Sequence, residues 1–146
     1  MNLTFRLLRE GAKIPIRATE FSAGMDLSAC LTEDVTIPPH EIRLIPTGLA
    51  AALDEPSAML MICARSGLAA KHGIGLANGV GIVDTDYRGE LCVALINQSN
   101  TEFTVTNGLR IAQLIAVPVY MPQILTADTL PDTQRGSGGF GSTGTD

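Results

Sequence analysis

Ala58-Met59-Leu60-Met61-Ile62-Cys63-Ala64, bounded by Pro56 before it and by Arg65-Ser66-Gly67 after it, is apolar at both parities. Seven residues are few for a buried helix, and the flanking Pro and Gly punctuate the run, so it reads as a strand covered on both faces. That reading sets the class, because the rest of the chain supplies more strands and strong turns. Towards the N-terminus, Leu49 to Leu53 forms a strand and Thr47-Gly48 breaks it from another that begins at Ile42 and Leu44 after Pro38-Pro39. Leu3, Phe5 and Leu7 alternate with Thr4 and Arg6, as in a strand with one buried face. Glu10 to Glu20 has Pro15 and no helical period, so it connects. The small residues of Ser22 to Ala29 surround Asp26, which suits either a turn-bonding side chain or a role near a metal or ligand.

On the C-terminal side, Arg65-Ser66-Gly67 emerges from the buried strand into Leu68-Ala69-Ala70-Lys71, a short helical turn. Its first amides and the Ser66 hydroxyl make a natural anion site, and Ser66 also suits an N-cap. Asn78 to Leu91 reads Asn-Gly-Val-Gly-Ile-Val-Asp-Thr-Asp-Tyr-Arg-Gly-Glu-Leu. Gly79 and Gly81 let this hairpin turn tightly and bring main-chain groups against a flat ligand. Asp84 ends the apolar run of Val80, Ile82 and Val83, which places its carboxylate at the rim of a core in a functional position, whereas Asp86 reads as a turn residue. Leu91 to Ile96 is again apolar at both parities and calls for a second subunit on one face. Asn107-Gly108 signals a two-residue hairpin joining Phe103–Val105 to Leu109–Val117. On the latter strand Gln113 shares parity with Ile111 and Ile115, as a satisfied core amide or as a ligand contact.

Arg135-Gly136-Ser137-Gly138-Gly139-Phe140-Gly141-Ser142-Thr143-Gly144 follows. It matches G-x-G-x-x-G, but only five residues come after Gly141, so no crossover helix can form. Such an arm can wrap a nucleotide, with Phe140 stacked on a base and Arg135, Ser142 and backbone amides on phosphates. About ten short strands and at most one helical turn give an all-β, jelly-roll-like or barrel-like domain over residues 1–125, with an arm over 126–146.

Composition narrows the partners. A net charge of −5 over 146 residues, with ten Lys and Arg, leaves no basic face for polymeric nucleic acid. A phosphate-bearing ligand must instead be met by a few arginines, backbone amides and a divalent cation. Cys30, Cys63 and Cys92 are odd in number and form no C-x-x-C pair, as expected of buried reduced thiols in a cytoplasmic protein. His40 and His72 are isolated, so no protein-only zinc or iron site is expected. Neither a signal peptide nor a membrane-spanning stretch is evident, and without secretion the sequons at Asn2 and Asn97 carry no meaning.

Five stretches, in this order, resemble the homotrimeric dUTPase family: Ala23–Ala29, Ala64–Gly67 running on through His72, Asn78–Leu91, Gly108–Ile115 and Arg135–Gly144. Two departures are visible, Ala64 where the family usually has Pro and Met25 where Leu or Tyr is common. The resemblance implies Mg²⁺-assisted hydrolysis of dUTP to dUMP and pyrophosphate by in-line attack of water on the α-phosphorus. That reaction keeps uracil out of DNA and supplies dUMP for thymidylate synthesis.

By the same resemblance, Asp84 would position and deprotonate the water, and Tyr87 would lie under the deoxyribose. Asn78 and the backbone around Gly81 would pair with uracil. Ser66, Gly67 and Gln113 would bind the phosphate chain, Arg65 would hold Asp84 and nearby phosphates, and Asp26 would reach Mg²⁺ through its waters. Arg135, Phe140, Gly141 and Ser142 would form the lid of a site shared between subunits of the trimer. A carboxylate is a weak base at neutral pH, so Asp84 would work largely by orienting water. Ordering a ten-residue arm costs on the order of 10 kcal/mol of backbone entropy, so the lid is expected to close only over ligand. Two rivals are a dCTP deaminase relative, whose deaminating carboxylate setting is not recognisable, and a regulatory trimer that binds dUTP without hydrolysing it.

Overall fold

The computed structural model describes residues 1–139. Among them the chain forms β1 (Leu3–Leu7), β2 (Met25–Ser28), β3 (Val35–Ile37), β4 (Ile42–Pro46), β5 (Leu49–Leu53), β6 (Ala58–Ala64), α1 (Ser66–His72), β7 (Ile74–Leu76), β8 (Gly81–Val83), β9 (Cys92–Asn97), β10 (Phe103–Val105) and β11 (Arg110–Pro118). A four-stranded sheet runs β2-β11-β6-β8, a three-stranded one runs β4-β9-β7, and β1-β5 and β10-β3 pair separately. The ladders are antiparallel. The domain is all-β and jelly-roll-like, with a core built around Leu27, Ile37, Ile45, Leu49, Leu95, Ile111 and Leu114.

β6 is a strand, as its length and flanks predict, but within one chain only one of its faces is fully covered. Ala58, Leu60 and Ile62 are buried, while Met59, Met61 and Cys63 are half-buried. β9 repeats the pattern, with Val93, Leu95 and Asn97 inside and Cys92, Ala94 and Ile96 half-covered. On β4, Ile45 is fully buried yet Ile42 and Leu44 are exposed. These half-covered faces are where a two-sided apolar pattern and a one-chain structure diverge.

Two expected hairpins are not hairpins. At Asn107-Gly108 the turn forms, with Gly108 at φ +78° and the Leu109 N–H bonded to Thr106 O at 3.1 Å. Its arms part, because β10 pairs with β3 and β11 with β2 and β6. The Asn107 side chain accepts from the Leu31 N–H at 3.0 Å and the Gly108 N–H bonds Ala29 O at 2.9 Å, which pins the turn to the segment after β2. Likewise β7 pairs with β9 and β8 with β6, so Gly79, at φ +72°, carries the chain from one sheet to another. The dipeptides specify the turns, whereas burial of each arm chooses its partner strand.

The helix is longer than the single turn expected. Arg65, rather than Ser66, stands at its N-cap in an extended conformation without a side-chain cap bond, and Gly73 ends it at φ +65°. Leu68 alone of its residues is buried, which ties the helix to the core.

Asn97 is fully buried and satisfied. Its amide nitrogen donates to Ile37 O at 2.9 Å and Thr101 O at 2.7 Å, and its oxygen accepts from Ser99 N–H at 3.0 Å and Ser99 O–H at 2.8 Å. It stitches β3, β9 and the following loop together. Asn97→Ala removes the Asn97 donor from Ile37 O and one of the two side-chain donors to Thr101 O, which keeps the Ser99 hydroxyl at 2.9 Å, so it is expected to cost about 2 kcal/mol of stability, read as a lower urea midpoint at unchanged slope.

After β11 the described chain has no further strand or helix through Gly139, and Tyr120, Met121, Ile124, Leu125 and Leu130 are all exposed. The three cysteines are free, with Cys30 buried. No helix of the described residues is long and apolar enough to cross a membrane.

Candidate active site

Where β8 ends, Asp84 opens a tight loop beside a cavity of about 240 Å³ lined by Asn78, Gly81, Ile82, Asp84, Tyr87 and Glu90, with Ile62, Leu91 and Cys92 also in its wall. At its wall β6 and β8 lie close together: a Cβ on Gly81 would lie 3.0 Å from the Ile62 Cβ. The loop is held by its own bonds. The Tyr87 N–H donates to Asp84 O at 3.1 Å, and the Arg88 guanidinium donates to Thr85 O at 2.6 Å and Tyr87 O at 2.9 Å. The Tyr87 hydroxyl donates to Glu90 O at 3.1 Å. Burial, assisted by Glu90 and opposed by Arg9, pushes the Cys92 thiol above its ordinary range, so it stays protonated. A carboxamide, open main-chain groups, an aromatic ring and a carboxylate around so small a space suit a planar heterocycle and its sugar. Typical pockets for drug-sized ligands run to roughly 300–1,000 Å³, so a whole nucleoside triphosphate exceeds this one.

A second cavity, of about 400 Å³, lies among Gly24, Asp26, Arg65, Ser66, Gly67, Arg110 and Gln113. Asp26 is a strand residue, not a turn residue. Its two carboxylate oxygens accept from Arg65 Nε at 2.9 Å and from an Arg110 guanidinium N–H at 2.9 Å. Two guanidiniums against one carboxylate leave a net positive charge, which suits phosphate. Arg65 also donates to Arg110 O at 3.1 Å, so strand and helix start are locked together. A register shift in β11 between Arg110 and Ala112 resets the alternation, and Ala112 and Leu114 face the core while Gln113 stays half-buried at the cavity. Its amide nitrogen is satisfied by Ala64 O at 3.0 Å, and a Cβ on Gly24 would lie 2.4 Å from its oxygen. Gln113 is thus a satisfied amide that also lines the cavity. Ser66 and Gly67 are exposed at the helix start, where the first amides have no partner within a helix.

Arg110 was not among the residues singled out from the sequence. Its signal was there, a basic residue opening the strand that carries Gln113. Glu90 was passed over as well, although it closes the polar run begun by Asp84.

The two cavities share no residue. β8 and β2 are opposite edges of the four-stranded sheet, so three strand spacings put them about 14 Å apart. Lengthwise the separation is larger. Val83 pairs with Leu60, whereas Arg65 lies five residues further on, about 17 Å at roughly 3.3 Å per residue. Within one chain Arg65 therefore meets Asp26 and does not reach Asp84. Arg135 is exposed in a local turn, donating to Gly138 O at 3.0 Å. Phe140, Gly141 and Ser142 lie outside the described residues.

Among the described residues no group of three His, Cys, Asp or Glu side chains is placed to hold a metal ion. Asp26 is the one carboxylate among the described residues lining the positive cavity, and each of its oxygens keeps a lone pair beyond its arginine bond. That donor set fits a hydrated Mg²⁺ carried mainly by phosphate oxygens, and does not fit an ion caged by protein.

Residues 10–144 match the dUTPase family. The deoxyuridine 5'-triphosphate nucleotidohydrolase of Desulfitobacterium hafniense strain DCB-2 is 52% identical over 132 residues, covering 90% of this chain and 87% of that protein. The counterpart in Hahella chejuensis is 51% identical over 90% of this chain and 87% of that protein. Among solved structures, the Staphylococcus bacteriophage 80alpha dUTPase with dUPNHPP superimposes with a TM-score of 0.88 at 25% identity, covering 99% of both chains. With a family match that takes in both cavities and the glycine-rich stretch beyond them, this chain belongs to the dUTPase family.

Proposed function

We propose that the protein hydrolyses dUTP to dUMP and pyrophosphate in the cytoplasm, as a homotrimer whose active sites each draw on more than one chain. The observation that carries the shared site is the separation just described: a nucleoside-sized cavity with Asp84 and a positive cavity with Arg65 sit too far apart to act on one substrate within a chain. Apposing the two across a subunit boundary unites them. The half-covered faces of β6 and β9 and the exposed Ile42 and Leu44 supply apolar surface for that boundary.

In this reading Asn78 and the main chain at Gly81 pair with the polar edge of uracil, in a slot narrowed by the β6–β8 approach. Tyr87 lies under the deoxyribose. Ser66, Gly67 and Gln113 of a neighbouring subunit, with Arg65 and Arg110, hold the phosphate chain. Asp84 orients the attacking water and accepts its proton as the α-phosphorus–oxygen bond to the leaving pyrophosphate breaks. Asp26 would hold Mg²⁺ through its waters, the ion supplying charge neutralisation at the phosphate oxygens. Residues 1–125 form the barrel, and 126–146 the arm, whose Arg135, Phe140, Gly141 and Ser142 cover the bound nucleotide.

The direct test is pyrophosphate release with Mg²⁺ from dUTP, dTTP and UTP in parallel. Release from dUTP, with dTTP and UTP disfavoured by roughly 10²-fold in kcat/KM, is expected of a slot too tight for the thymine methyl and of a Tyr87 floor that leaves no room for a 2′-hydroxyl. An inert dUTP reaction refutes the proposal.

A further inference from the structure

Two neighbours, Gly89 and Glu90, seat the Tyr87 ring. Its hydroxyl folds back to donate to Glu90 O at 3.1 Å. On that path it crosses Gly89 so closely that a Cβ there would lie 2.3 Å from the hydroxyl oxygen and 2.5 Å from the ring carbon bearing it. Gly89 is not at positive φ, so its lack of a side chain serves the ring and not the backbone. The Glu90 carbonyl that receives the hydroxyl is itself held in place by the Glu90 side chain. One carboxylate oxygen accepts from the Gly48 N–H at 2.9 Å and the other pairs with Arg9 at 2.8 Å. The Glu90 side chain is 20% exposed and Arg9 48%, so the carboxylate is the sheltered half of the pair and the Gly48 bond is its inner anchor. Gly48 lies in the buried turn between β4 and β5, and Arg9 just after β1. The carboxylate therefore ties the loop to two parts of the scaffold that lie far from it in sequence.

We propose that Glu90, braced by Arg9 and Gly48, is a positioning residue that fixes the Tyr87 ring over Gly89 and so sets the discrimination between deoxyribose and ribose. The inference rests on the reading of Tyr87 as the floor of the sugar site. An aromatic floor rejects a 2′-hydroxyl only if it cannot yield, and the Glu90 clamp is what denies it room to yield. Loosening the clamp should admit UTP before it harms dUTP.

The experiment compares kcat/KM for dUTP and for UTP, with Mg²⁺, in the full-length protein and in Glu90→Gln, Arg9→Met and Gly89→Ala. Glu90→Gln keeps the shape and removes the charge, and Gly89→Ala displaces the ring without touching the carboxylate. Each is expected to raise relative use of UTP by about tenfold, with kcat on dUTP changing much less. Glu90→Gln and Arg9→Met in combination should add little to either alone, since both release one clamp. A parent protein inactive on dUTP would sink the reading of the site beneath this one. With a parent that is active and selective, unchanged discrimination in Glu90→Gln overturns the proposal whatever Gly89→Ala does. If Gly89→Ala fails to fold, the two surface-pair variants decide alone.

Discussion

Asp84→Asn is expected to lower kcat about 100-fold or more while leaving affinity for a non-hydrolysable dUTP analogue within a few-fold of the parent. The side chain is exposed at the end of β8 and the loop around it is held by the Asp84 carbonyl and by Arg88, not by the carboxylate. An isosteric amide should therefore leave fold and cavity intact. What it removes is the only group in the nucleoside cavity besides Glu90 that can take a proton from water, and Glu90 is committed to Arg9 and Gly48. In the proposed reading binding draws mostly on Asn78, the main chain at Gly81 and Tyr87, so affinity should hold. Asp86→Asn, two residues on and outside that cavity, is the matched control and should stay within a few-fold of the parent in turnover. Turnover by Asp84→Asn close to that of the parent would remove Asp84 as the base.

Much of the fold was legible because strand identity depends on short-range features. The apolar runs at Ala58–Ala64 and Leu49–Leu53, and the alternation at Leu3–Leu7, became strands with bounds as read. Pairing was less legible. Asn107-Gly108 dictates a turn, but β10 went to β3 and β11 to β2 and β6, since the choice of partner depends on which long-range arrangement buries each face. The register shift before Ala112, which turns Gln113 towards the cavity, has no local signature that a simple alternation could register.

The candidate site was legible as two groups of neighbouring residues and not as an arrangement. Asp84, Tyr87, Asn78 and Gly81 come together, as do Asp26, Arg65, Ser66, Gly67 and Gln113. Sequence order gives no hint that β6 would place Arg65 at one end and the partner of Val83 near the other. Nor does it reveal that Arg110 would share Asp26 with Arg65. Charge pairing across 84 residues is a tertiary fact. Asp26 had looked as much like a turn residue as a ligand, because Asp among small residues fits both until the strand is seen.

The division of the site is tested most directly by mixing two inactive chains. Arg65→Ala should abolish efficient turnover by removing a phosphate contact, while Arg110 still meets Asp26 and keeps the strand end satisfied. Asp84→Asn is expected to be inactive for a different reason, the loss of the group that orients water. If Asp84 and Arg65 act on one substrate from different subunits, co-refolding the two variants in equal amounts gives trimers in which about one quarter of the sites receive both intact groups. The account predicts that the mixture hydrolyses dUTP at about that fraction of the parent rate. A mixture no more active than the two variants assayed separately would contradict it, and would place both groups at work within a single chain.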